Sequence, residues 1–103
     1  MSFTGNENHD ITLQEASAMT ANYRNASPGA VLGHYFGNSA ISAILAQTGC
    51  VGIRMYYAIT NEGVKQLVLV GVDSNGNDLY NGLLADRSYN CPPDCGNSNP
   101  LNT

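Results

Sequence analysis

The chain has 103 residues, enough for one domain with a core that needs no staple, and 43% of them are hydrophobic. Charged residues make up 12%, about half the usual level of roughly 25%, so the surface must be built from uncharged polar groups, 13 Asn among them. Four Lys and Arg against eight Asp and Glu leave a net charge of -4; the cations are scattered along the chain, whereas neutralising phosphates requires them clustered, which excludes nucleic acid.

Residues 1–10 show no apolar periodicity and read as a flexible arm. They carry no positive region followed by an apolar run, and no segment of the chain approaches the roughly 20 apolar residues of a membrane helix. A cytoplasmic protein without a membrane partner is the expectation. Thr12 and Glu15 have the spacing of a capping box, in which Thr12 caps the Glu15 amide and the Glu15 side chain reaches back to the Thr12 amide. From there Leu13, Ala16, Met19, Thr20 and Tyr23 recur at three and four residues, predicting a helix that ends near Arg24.

Ser27-Pro28 resembles a cap followed by proline at the first helical position. A second helix is predicted there, with Val31, Leu32, Tyr35 and Phe36 on one face and Gly37 as its stop; His34 then lies about 130° around that helix from the apolar face. Asn38 is positioned to cap a third helix with Ile41, Ile44 and Leu45 as its buried stripe, and Gly49 suits its left-handed end.

Residues 49–59 form an amphipathic strand with Val51, Ile53, Met55, Tyr57 and Ile59 on one face, so this strand is expected at an edge. The run from Leu67 to Val72 is apolar on both faces and must be covered on both. Residues 60–63 predict a hairpin between these strands. Asn75-Gly76 predicts a type I′ turn into a short third strand around Asp78 to Tyr80, with Leu83 and Leu84 packing back on the core. The fold class expected is α+β, N-terminal helices packed on a three-stranded antiparallel β-meander, as a single domain over residues 11–88. Residues 89–103 form a tail rich in Cys, Pro and Asn, disordered unless something ties it down.

The best chemical lead is the set of three cysteines, Cys50, Cys91 and Cys95. Cys91-Pro92-Pro93-Asp94-Cys95 holds two thiols in a constrained turn that suits a disulfide, a metal or a cluster; Cys50, at the mouth of a strand, also reads as a small buried hydrophobe. Gly49-Cys50-Val51-Gly52, with Cys91 and Cys95-Gly96 behind it, resembles the layout of A-type iron–sulfur carrier proteins. That resemblance implies cluster or iron ligation by all three cysteines, although this chain has three residues between its tail cysteines where that family has one. The Gly-Cys-Val-Gly-Ile-Arg strand, the Leu-Val-Leu-Val-Gly-Val-Asp strand and the Cys-Pro-Pro-Asp-Cys-Gly tail are also similar to a group of small uncharacterised bacterial proteins, a resemblance that brings no activity and no site residues with it and leaves any cofactor unknown.

Other chemistry finds little purchase. A Cys50–His34 nucleophile lacks an orienting third group and a cationic neighbour to lower the thiol pKa. Asp73 to Leu84 fails the calcium-loop template at its sixth position, Asp78, and its twelfth, Leu84. No phosphate loop, zinc-protease helix or nucleophile elbow is present. The sparse charge, the doubly apolar strand and Tyr56, Tyr57 and Tyr80 on the sheet predict a non-enzymatic module that self-associates, a homodimer first of all, or binds a partner. The alternatives are a metal or iron–sulfur carrier using the three cysteines and a small-molecule pocket where Arg54, Tyr56 and His34 converge.

Overall fold

A computed structural model of the chain describes residues 2–103. Its elements in order are helix α1 (Leu13–Ala26), strand β1 (Gly33–Tyr35), helix α2 (Asn38–Leu45), strands β2 (Cys50–Ile59) and β3 (Lys65–Asp73), and the short strands β4 (Leu84–Ala85) and β5 (Tyr89–Cys91). They form two compact units, each assembled from two separated stretches. The sheet unit takes the described residues up to Glu7 and Phe36–Ser88, and the helical unit takes Asn8–Tyr35 and Tyr89–Thr103.

In the sheet unit β2, β3 and β4 form a three-stranded antiparallel sheet in that order, and α2 packs on β2 and β3, so the fold is α+β with a helix on a meander. The 60–63 hairpin forms as predicted: the Thr60 amide donates to the Val64 carbonyl, the Gly63 amide donates to the Thr60 carbonyl, and Gly63 adopts φ 87°. Tyr57 faces Leu67, Met55 faces Leu69 and Arg54 faces Val70 across the ladder, with one bulge between Cys50 and Gly52. Ile44 of α2 and Leu69, Val70 and Val72 of β3 are the buried hydrophobic residues. Neighbouring strand residues point to opposite faces, so β3 is covered on both sides by this chain itself and does not need a partner for that purpose.

The close fit of α2 on β3 depends on Gly71. A methyl group there would lie 2.9 Å from Cys50 Sγ and from Gln47 Nε2, and 3.4 Å from Ile44 Cγ2. Gln47 cannot easily withdraw, because its amide nitrogen donates to the Ile44 carbonyl and its amide oxygen accepts the Leu83 amide, each at 2.9 Å. The N-terminal stretch joins this unit through the Phe3 amide, which donates to the Ser74 carbonyl at 2.7 Å.

The turn after β3 differs from the expected type I′. That turn needs positive φ at both Asn75 and Gly76; of the two, Gly76 alone has it, at 84°. The Asp73 carboxylate accepts the amides of Asn75 and Asn77 and so holds a wider loop closed by the left-handed glycine. The third strand is also displaced. Asp78 makes a single bridge to Val72, a turn closed by the Gly82 amide on the Leu79 carbonyl lifts the chain away, and pairing resumes at Leu84–Ala85. Leu83 and Leu84, expected in the core, are exposed.

In the helical unit, Thr12 caps α1 by accepting the Glu15 amide at 3.1 Å, while the Glu15 carboxylate accepts the Thr12 hydroxyl instead of the predicted Thr12 amide. The helix predicted from Pro28 to Phe36 does not form. Gly29 turns left-handed at φ 77° and the Ala30 amide closes on the Ser27 carbonyl. Gly29 and Gly33 each cost a helix about 1 kcal/mol relative to alanine, and the segment becomes strand β1, paired antiparallel with β5. The same pairing ties down the tail, with the Leu32 amide donating to the Cys91 carbonyl and the Tyr35 and Tyr89 rings stacked at 5.9 Å.

Candidate functional site

Strand β2 is an edge strand, as its pattern predicts, but its apolar face is not buried. Met55, Tyr57 and Ile59 are 57%, 96% and 68% exposed, and because the register places them opposite Leu69, Leu67 and Lys65 they share one face of the sheet. The last turn of α2 bears instead on Gly71, which pairs with Ile53 near the other end of β2.

The backbone polarity of this edge follows from the ladder. The Thr60 amide donates to the Val64 carbonyl, so that pair is of the hydrogen-bonded type, and alternation makes Ala58, Tyr56 and Arg54 the residues bonded to β3. On β3 the Gly71 carbonyl and the Asp73 amide bond away from β2, to Leu79 and Asn77, which fixes the same parity independently. Ile53, Met55, Tyr57 and Ile59 therefore direct their amides and carbonyls outward. Among the described residues, no hydrogen bond reaches these outward groups. At the other end of β2, Gly5 approaches the Val51 carbonyl beside the bulge.

On the opposite face, Arg54 and Tyr56 converge on Asp78. The Arg54 guanidinium donates to Asp78 Oδ1 at 2.5 Å and to the Gly76 carbonyl at 3.1 Å, and the Tyr56 hydroxyl donates to Asp78 Oδ2. The hydrogen bond from Tyr56, with the Arg54 pair behind it, holds the Asp78 carboxyl below its ordinary range. Bonding to that carboxylate pushes the Tyr56 hydroxyl up and the Arg54 guanidinium further up. A phenol so held keeps its proton, so Tyr56 acts here as a donor and not as a base. The cluster clasps β2 to the turn after β3. The signal for Asp78 in the sequence is slight: it is the acidic residue two positions beyond Gly76, able to come over Arg54 only once the hairpin register is known.

The other predicted positions are dispersed. Tyr80 is exposed in the loop beyond Asp78. His34 belongs to the helical unit, on β1, where its Nδ1 lies 2.9 Å from Asn90 Oδ1; its place is a strand pair and not the helix face predicted. Cys91 and Cys95 form a disulfide, while Cys50 is a free thiol in the sheet unit that donates to the Gly52 carbonyl at 3.2 Å. Among the described residues, no three His, Cys, Asp or Glu side chains are grouped to hold a metal ion. The helical unit has an apolar cleft of about 180 Å³ lined by Met19, Thr20, Tyr23, Arg24, Leu32 and Leu101, below the roughly 300–1,000 Å³ of ordinary ligand pockets.

Among the described residues, no helix is long and apolar enough to cross a membrane. No protein-family model, no curated protein and no solved structure matches this chain significantly.

Proposed function

We propose that this chain is a non-enzymatic self-associating module, and that the homodimer forms along β2. The observation that carries the reading is the ten-residue edge strand whose outward backbone groups take no hydrogen bond among the described residues and whose Met55, Tyr57 and Ile59 side chains face solvent. Proteins usually blunt such an edge with lysine, proline or a covering segment, because it templates pairing with another strand. From Ile53 to Ile59 this edge carries one charge, Arg54, and Asp78 already neutralises it.

The edge is complementary to itself: an antiparallel second copy offers the same outward amides and carbonyls and the same apolar side chains along the same length. Tyrosine and methionine, the side chains that dominate the stripe, are those enriched at interface cores.

The metal-carrier reading has less support, since Cys91 and Cys95 are bonded to each other and ligation by them would first require reduction. That bond also weighs against the reducing cytoplasm expected from the N-terminal sequence, because disulfides persist mainly in oxidising compartments.

Light scattering coupled to size exclusion tests the proposal at tens of micromolar chain. The wild type is expected at twice the chain mass and Tyr57→Lys at the monomer mass, with the far-ultraviolet circular dichroism unchanged because the Tyr57 side chain is almost wholly exposed. A wild type that elutes as a monomer at every concentration refutes the proposal.

A further inference from the structure

We infer that the β2 strands of two copies pair antiparallel about a twofold axis through Tyr56, joining two three-stranded sheets into one of six strands. The inference rests on the self-association proposed above and specifies its geometry.

A twofold axis normal to a sheet keeps each side chain on its own face. Residues directly opposite one another across the axis must then have the same parity, so some residue of β2 faces its own copy. The candidates for that residue are limited by the free length of the edge. At its start the strand is bulged between Cys50 and Gly52, and Gly5 stands against the Val51 carbonyl. At its end Thr60 turns into the hairpin. The usable outward residues are therefore Ile53, Met55, Tyr57 and Ile59, and their midpoint is Tyr56.

Only a twofold axis at Tyr56 pairs all four outward residues with outward residues of the partner copy, Ile53 with Ile59 and Met55 with Tyr57, each pair exchanging amide and carbonyl. An axis at Arg54 sets two guanidinium groups opposite each other, and an axis at Ala58 leaves Ile53 and Met55 without partner strand. On the exposed face the chosen register places each Met55 beside the partner's Tyr57, and the two apolar stripes merge into one. On the other face Tyr56 meets Tyr56, and Arg54 meets Ala58.

Disulfide trapping reads the register. A residue that faces its own copy in a pair not joined by hydrogen bonds has a Cα separation of about 4.5 Å, within the roughly 4.4–6.8 Å that a disulfide spans. In a Cys50→Ser background, Tyr56→Cys is expected to give a covalent dimer on mild oxidation, reversed by reductant, whereas Ala58→Cys gives none. Should loss of the Tyr56 ring weaken association, a mixture of separately purified Met55→Cys and Tyr57→Cys chains carries the same test: the mixture cross-links and neither chain does so alone. If the wild type is dimeric by light scattering but Ala58→Cys cross-links, or the Met55→Cys and Tyr57→Cys mixture does not, the register is wrong and self-association stands. A monomeric wild type overturns both.

Discussion

Replacing Gly71 by alanine places a methyl group in the seam between β3 and α2. Within a strand the substitution by itself is favourable, since alanine loses less backbone freedom on folding and gains about 0.5–1 kcal/mol over glycine. Against this, the new carbon would sit 2.9 Å from both Cys50 Sγ and Gln47 Nε2, closer than van der Waals contact allows, and 3.4 Å from Ile44 Cγ2. Gln47 is pinned at both ends of its amide, and Ile44 is among the buried core residues. Overpacking of this kind costs about 1–3 kcal/mol, so the net loss is centred on about 1 kcal/mol and reaches at most about 2.5 kcal/mol. For a domain of this size that lowers the melting temperature by several degrees. Gly52 gives a control in the same strand pair, because a methyl group there has nothing within 4 Å and its φ is not positive. Thermal unfolding at a fixed chain concentration should place Gly52→Ala at or slightly above the wild type and Gly71→Ala below it. Adding Cys50→Ala to Gly71→Ala removes one of the two close contacts and should recover part of the loss. A Gly71→Ala protein as stable as Gly52→Ala would show that α2 does not bear on β3 through this glycine.

Two further outcomes follow from the polar cluster and the tail. Asp78 titrates below its ordinary 3.8 in the folded chain and Tyr56 above its ordinary 10.0; the contribution of Asp78 is therefore present above its unfolded value and lost as pH falls through the lowered one, while that of Tyr56 is full below 10.0 and lost as pH rises through the raised one. The stability difference between wild type and Asp78→Ala, followed by thermal melts, should thus be flat near neutrality and close at both extremes, and tyrosinate absorbance should lose its most alkaline component in the variant; an unchanged tyrosine titration would rule out the clasp. In the helical unit, opening the short loop from Cys91 to Cys95 by Cys91→Ser with Cys95→Ser should cost about 2 kcal/mol at 25 °C by loop-closure entropy, with the near-ultraviolet signal of the Tyr35–Tyr89 stack lost at lower denaturant; equal stability would mean that the disulfide adds nothing to the β1–β5 pairing.

Local rules foretold the elements whose causes are local. Thr12 caps α1 because its hydroxyl lies three residues from the amide it satisfies, and the hairpin of β2 and β3 forms because both strands and their turn are contiguous. The segment after Pro28 shows what such reading misses. Its residues spell an apolar helix face, yet its partner, Tyr89–Cys91, lies near the other end of the chain in a stretch whose Asn, Pro and Cys resemble an untied tail. A strand so short has no stability of its own, and what holds it is pairing with a segment no periodicity points to. The assembly of each unit from two separated stretches is hidden for the same reason.

The apolar stripe of β2 carries the same lesson into function. Alternation correctly placed Ile53, Met55, Tyr57 and Ile59 on one face, and the ordinary inference from such a face is burial beneath a helix. Here α2 is eight residues long, about 12 Å, and its last turn bears on Gly71, opposite Ile53, while Met55, Tyr57 and Ile59 stay exposed. A pattern written for a core thus becomes a core only where α2 bears on the sheet, and elsewhere the same alternation leaves a stripe open to solvent.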